Sequence, residues 1–306
     1  MISAIRLTLK PTHQKPLLSH HRRVNQVLWQ VLILNLTVAA AKVIVGMLIG
    51  SISMLADGFH SAMDASSNII GIIGSSLAGR PPDSDHPYGH YKYETFATLG
   101  IGLLLLLTSW NVLKSIFTRL ADGTAPEITT LSFAVMIATI ALNLAVVLYE
   151  KRQGRRLQSA LLLADAAHTK SDIFVSLSVL ISLAAVRAGW VWIDAVTALL
   201  IVGIIGRTGW QIVRRASDVL ADSAIVDPTA VEKIVLGIEG VKSCHKIRSR
   251  GCRQAAHLDL HIQVDGQMTL EQAHQLGHIT QRRLKQTLGI ADVMVHVEPV
   301  LVAYTP

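Results

Sequence analysis

The chain has 306 residues, 51% of them hydrophobic and 16% charged, with a mean hydropathy of +0.44 and a formal charge of +7. That balance is too apolar for an ordinary soluble globule or a disordered chain, and it points to several membrane spans. The positive charge does not indicate nucleic acid, because Lys and Arg gather between apolar runs and form no single basic face. Two cysteines without C-x-x-C spacing, Cys244 and Cys252, exclude a disulfide framework and read as free thiols.

Residues 1–23 include Arg6, Lys10, Lys15, Arg22 and Arg23 and show no signal-peptide pattern, so they read as a basic cytosolic arm. Apolar runs follow at about 26–49, 52–78, 95–119, 128–150, 159–186 and 190–212, each close to the roughly 20 residues that cross a bilayer core. With a cytosolic N-terminus, Arg22, Arg23, Arg80, Lys92, Lys151, Arg152, Arg155, Arg156, Arg214 and Arg215 all face the cytosol. The other side receives little besides Arg119 and Arg187. The expectation is a six-span, all-α membrane domain over 24–215 in the cytoplasmic membrane, with both termini cytosolic.

Within the apolar runs, residues 56–64 read Ala-Asp-Gly-Phe-His-Ser-Ala-Met-Asp and residues 164–172 read Ala-Asp-Ala-Ala-His-Thr-Lys-Ser-Asp. Both copies fit one template, and on a helix Asp57, His60 and Asp64, like Asp165, His168 and Asp172, share a stripe. Ionisable residues inside a membrane are expensive and usually functional. The two helices run in opposite directions, which puts both pairs near the midplane, roughly 10–17 Å from a membrane face at about 1.5 Å per residue. Two imidazoles and two carboxylates suit tetrahedral zinc and cancel its charge. The plainer alternative is that each His and Asp bonds a neighbouring helix. Asp57 and Asp165 read as support for the ligands or as helix-packing groups.

In the loop after the second run, Asp83, His86 and His90 could bind a divalent ion, or could be solvated residues of a turn rich in Pro and Gly. Beyond Asp222 the composition turns soluble. The pattern predicts a helix over 228–238, a strand over 242–250 and a strand over Ala255–Val264 that alternates Leu258, Leu260, Ile262 and Val264 with His257, Asp259, His261 and Gln263. A helix over 269–288, capped by Thr269 and Gln272, and a strand over 292–298 complete an α-β-β-α-β, α+β domain within 216–306. It holds His245, His257, His261, His274, His278, His296 and Glu298, dense enough to suggest metal binding.

The segments S-I-S-M-L-A-D-G-F-H-S-A-M-D (51–64), H-P-Y-G-H-Y-K-Y-E (86–94) and H-T-K-S-D (168–172), in this order, resemble the cation diffusion facilitator family from about residue 24 onward. The resemblance implies a homodimeric, proton-coupled exporter of Zn2+ and related divalent metals, and not an enzyme. It also implies a metallochaperone-like (ferredoxin-like) C-terminal domain. By resemblance His60, Asp64, His168 and Asp172 form the transport site, and Asp83, His86 and His90 the loop site. His245, His261, His274, His296 and Glu298 form a binuclear site at the dimer contact, and Lys92 and Asp222 a charge pair between the two domains. Glu298 stands where bacterial relatives often have Asp. His at the first transport position favours zinc over manganese, while Cd2+, Fe2+, Co2+ or Mn2+ remain alternative cargoes. Between the fourth and fifth runs, 151–156 reads as a short loop without a histidine-rich insert. A metal sensor that does not conduct is the competing class. An intramembrane metalloenzyme is disfavoured, because no H-E-x-x-H is present and four ligands leave no position for catalytic water.

Overall fold

A computed structural model describes residues 14–49, 61–62, 65–122, 130–187, 191–252 and 255–300. The chain divides into a compact unit of Gln14–Ala216 and a second that contains Ser217–Pro306.

The first unit is built from long helices: α1 (Gln14–Ile49), α2 (Ser66–Ala78), α3 (Lys92–Asp122), α4 (Thr130–Leu157), α5 (Ala160–Arg187) and α6 (Val191–Leu220). Its tightest packing surrounds the first half of α5. There Leu161, Leu162 and Ala164 bury against Val24, Val27 and Leu28 of α1 and Ala97 and Ile101 of α3. A second cluster joins Leu105 of α3 to Ile201 and Ile205 of α6, with Ala167, Phe174 and Val175 of α5 against it. The opposite faces are apolar and bare: Ile33, Leu48, Leu103, Trp110, Leu148, Leu200 and Trp210 all stand exposed. A bundle with large apolar side chains outside and Asn68, Glu150, Asp165 and His168 inside has the surface that hydrocarbon, not water, would solvate. Among the described residues, His20–Val45 and Lys92–Lys114 are long and apolar enough to cross a membrane.

Two helices extend past the boundaries read from the sequence. The expected arm is helical from Gln14 onward, with His21 buried. Residues 151–156, expected as a loop, continue α4 to Leu157. Lys, Arg and Gln are good helix formers, so charge alone does not end a helix. The break comes at Gln158, in the left-handed region (φ 53°), and at Ser159, whose hydroxyl accepts from Leu162 N as α5 begins.

The second unit orders its elements as α7 (Pro228–Leu236), β1 (Val241–Cys252), β2 (Ala255–Val264), α8 (Leu270–Leu288) and β3 (Asp292–Pro299). The sheet order is β1-β2-β3, with β1 antiparallel and β3 parallel to β2. A parallel neighbour requires a crossover, and α8 supplies it. Leu258, Leu260, Ile262 and Val264 point into the core with Val231, Val235, Leu276, Leu284 and Val293, as the alternation predicts. Asp227 caps α7 through Thr229 N (3.0 Å). Thr269 and Gln272 form the expected reciprocal cap of α8, and Gly289 closes that helix in the left-handed conformation (φ 66°).

Candidate metal sites

On α5, Asp165, His168 and Asp172 follow the i, i+3, i+7 stripe inside one helix. His168 is 4% exposed and Asp165 fully buried, while Asp172 is half-buried beside Ser171 (Oγ to Oδ1, 3.5 Å). Phe174, held by Lys170 over its ring, packs this part of α5 onto the α3–α6 cluster. Asp57, His60 and Asp64 lie outside the described residues.

Asp165 is also held by other helices. Asn68 of α2 donates its amide to the Asp165 carboxylate, and Asn35 of α1 donates to Asn68 Oδ1 (3.0 Å). Glu150 of α4, itself fully buried, lies against Asp165 from the other side. A buried polar chain from Asn35 through Asn68 to Asp165 thus ties three helices together beside the His168 stripe, with Glu150 of α4 close by and neither of its carboxylate oxygens hydrogen-bonded. Sequence reading singled out neither Asn35, Asn68 nor Glu150. A lone polar residue in an apolar run was the available signal, but it does not say which helix it faces.

The loop site forms as a compact turn. Asp83 Oδ1 accepts from the backbone N–H of Asp85 (3.1 Å) and His86 (2.7 Å), and Gly89 takes φ +89°. That turn brings His86 Nδ1 to 3.2 Å from Asp83 Oδ1 and His90 Nε2 to 3.3 Å from Oδ2. The bond from His86 N holds the Asp83 carboxyl below its ordinary range, with a smaller contribution from the two imidazoles. His90 is buried and its Nδ1 lies 3.1 Å from Pro81 O. That contact makes Nδ1 the protonated nitrogen and leaves the Nε2 lone pair facing Asp83, the arrangement a metal-binding histidine needs. The donor set and its separations fit one divalent ion.

On the sheet, His245 pairs with His261 and His261 with His296, so one cross-strand row carries three imidazoles. An irregularity between His245 and Arg248, with Lys246 at φ 51°, places His245 in that row. Glu298 stands two residues beyond His296 on the same face and reaches back into the row. Its carboxylate lies 2.6 Å from His261 Nδ1, 3.3 Å from His245 Nε2 and 3.6 Å from His296 Nε2. The hydrogen bond with His261 holds Glu298 below the usual carboxylate range. The longer Glu side chain therefore reaches every imidazole of the row. His274 is outside this group; it sits on α8 with Nε2 3.1 Å from His278 Nε2. His257 packs near Asp292 (3.9 Å), and burial lowers its pKa. Burial pushes the Cys244 thiol up to about 11, and neither Cys244 nor Cys252 forms a disulfide. Lys92 opens α3 in the first unit, and Asp222 follows α6 in the second with φ 55°.

Residues 28–221 match the family described as the cation efflux transmembrane domain, and residues 226–300 match the cytoplasmic domain of cation efflux proteins. The chain is 33% identical over 269 residues to the manganese efflux system protein MneS of Bacillus subtilis, covering 86% of this chain and 91% of that one. It is 32% identical over 272 residues to the cation-efflux pump FieF of Shewanella oneidensis, covering 88% and 92%. It is also 29% identical over 293 residues to metal tolerance protein C1 of Arabidopsis thaliana, covering 89% of this chain and 61% of that one. With its helical bundle, its α-β-β-α-β unit and both matches in the same order, the chain belongs to the cation diffusion facilitator family.

Proposed function

We propose that this chain carries divalent metal cations out of the cytosol, with Zn2+ as the principal cargo and H+ moving the other way. The observation that carries the reading is His168, an imidazole almost shut off from solvent on the same stripe of α5 as Asp172, inside a bundle with an apolar exterior. His60 and Asp64 supply the matching half of a four-ligand site, and two imidazoles with two carboxylates favour tetrahedral Zn2+. A metal must displace protons from such ligands, so a site open to each face in turn exchanges cation for H+. The Glu150–Asp165 contact offers a further place where a proton can be held between two carboxyl groups.

In this reading the six long apolar runs each span the cytoplasmic membrane, both termini are cytosolic, and two copies associate through their cytosolic units. Asp83, His86 and His90 bind one regulatory or structural ion. The His245–His261–His296 row with Glu298 binds another, and a second copy's contact brings in His274. Lys92 and Asp222 form the charge pair between the two units. The name of the Bacillus relative makes Mn2+ the competing cargo.

Reconstituted proteoliposomes under a pH gradient test this. Wild type moves Zn2+, and Asp172→Ala and Asp64→Ala each abolish that flux. Wild-type flux in both variants would remove the assignment, and no flux in wild type would favour a sensor. The order of rates across Zn2+, Cd2+, Fe2+, Co2+ and Mn2+ identifies the cargo.

A further inference from the structure

A third cluster of metal-ligating side chains lies in the helical unit, apart from the stripe and the loop. Glu94 opens the first turn of α3, and His20 and His21 lie in the first turns of α1. One ligand atom from each falls within 4.8 Å of the others, and His21 is buried while His20 and Glu94 are half-buried. Glu94 is already oriented, because Ser159 Oγ, at the start of α5, donates to its Oε1 (2.7 Å). That leaves Oε2 toward His21 Nδ1 at 3.2 Å. The two imidazole rings meet edge to face at 5.1 Å.

The nitrogens themselves point to a missing occupant. His20 Nε2 and His21 Nδ1 are both buried; His21 Nδ1 has the Glu94 carboxylate 3.2 Å away, and His20 Nε2 has no hydrogen-bond partner. Burying an imidazole nitrogen without a partner, as His20 Nε2 is, costs free energy, and a second imidazole beside one oriented carboxylate is an unusual arrangement for a purely structural ion pair. An ion pair would use one imidazole, and it leaves His20 unexplained.

We propose that His20, His21 and Glu94 form a divalent-cation site that clamps the first turns of α1 and α3. Two imidazoles and one carboxylate are the donors that first-row ions such as Zn2+ and Co2+ prefer, and three protein ligands leave an open position. Ligands about 2.0–2.2 Å from zinc stand roughly 3.3 Å apart, so the present separations close with small side-chain rotations. A cavity of about 460 Å3 lined by His21, Asn25, Ser75, Ser76 and Gly79 gives the ion a path to His21. Arg22 and Arg80 line the same cavity, so the site holds a cation by donor lone pairs and not by surplus negative charge. Each imidazole therefore counts.

The test is Co2+ titration of the stripped, full-length protein in detergent, followed by the absorbance of the bound ion and by calorimetry with Zn2+. His20→Gln binds one fewer Co2+ per chain than wild type, while its metal-free unfolding temperature is unchanged because no hydrogen bond is lost. Glu94→Gln keeps an acceptor for Ser159 and weakens the same equivalent by about ten- to a hundredfold. If both variants bind the wild-type number of Co2+ ions with wild-type affinity, the cluster is an ion pair and the proposal is wrong. The readout is equilibrium binding, so it does not depend on whether the chain transports.

Discussion

Cys244 shows how strongly burial sets chemistry at the scale of one residue. Its thiol is pushed up to about 11, first by desolvation and then by the nearby Glu232 carboxylate. Only the thiolate attacks an alkylating agent, so at pH 7.5 about one Cys244 side chain in several thousand is reactive. Iodoacetamide should modify it far more slowly in the folded protein than in denaturant, and raising the pH toward 10 should speed the folded reaction roughly tenfold per unit. Equal folded and denatured rates, read by mass spectrometry, would show the thiol to be ordinary. The same scale separates what a sequence can reveal from what it cannot. The Asp165–His168–Asp172 stripe and the alternation around His261 follow from helical and strand periods, which are local. The partners of Asp165 are not local: Asn68 and Glu150 reach it from other helices, 97 residues away in the first case. The free lone pair on His90 Nε2 depends on Pro81 O, which no spacing rule anticipates.

Elements meet where side chains are smallest. A Cβ added at Gly74 of α2 would stand 2.3 Å from Ala97 Cβ and 3.0 Å from Tyr93 O on α3. Backbone lies behind that contact, so the helices must separate to admit any larger residue. Gly74→Val should destabilise the helical unit by about 1–3 kcal/mol, the usual cost of overpacking. Ala97→Gly combined with Gly74→Ala should recover most of the stability, because the clash then loses one of its two methyl groups. Detergent-solubilised thermal unfolding reads both, and a Gly74→Val protein as stable as wild type would mean that α2 and α3 are not in contact there. A glycine in an apolar run permits close helix approach, but nothing local in the sequence says which helix Gly74 faces. Helix length was less legible. Hydropathy marks where a membrane could end, whereas α4 continues to Leu157 and ends where Gln158 turns left-handed, past the end of the apolar run expected at about 150. Strand register followed the opposite course: the pattern in β2 was complete, and the irregularity in β1 that aligns His245 with it was invisible.

At the scale of the molecule, the two units are built for different surroundings. The helical unit turns leucines and tryptophans outward and keeps Glu150 and Asp165 inside. The second unit hides one continuous apolar core and presents His245, His261 and His296 on the other face of the sheet. Among the described residues, every buried member of that core lies between Val231 and Val293, within the second unit itself. A fragment of residues 217–306, about 90 residues, is above the size at which a single core suffices. It should fold as a soluble domain with mixed helix and strand. Its metal-free form keeps Glu298 in contact with His245, His261 and His296, and a Zn2+ ion would take that carboxylate as a shared ligand. At free Zn2+ about a hundred times its dissociation constant, binding contributes about 2.7 kcal/mol, which raises the unfolding temperature of a domain this size by roughly 10–20 °C. His261→Ala should abolish most of that rise, because His261 makes the shortest contact with Glu298 and lies in the middle strand of the row. His274→Ala should matter only if a second copy completes the site. It would then leave the Zn2+ response of the dilute monomer intact and weaken the Zn2+-dependent dimer seen by sedimentation. A fragment that folds yet shows no Zn2+-dependent shift would reduce the histidine row to a hydrogen-bonded sheet face and leave the helical unit as the only place where this chain handles metal.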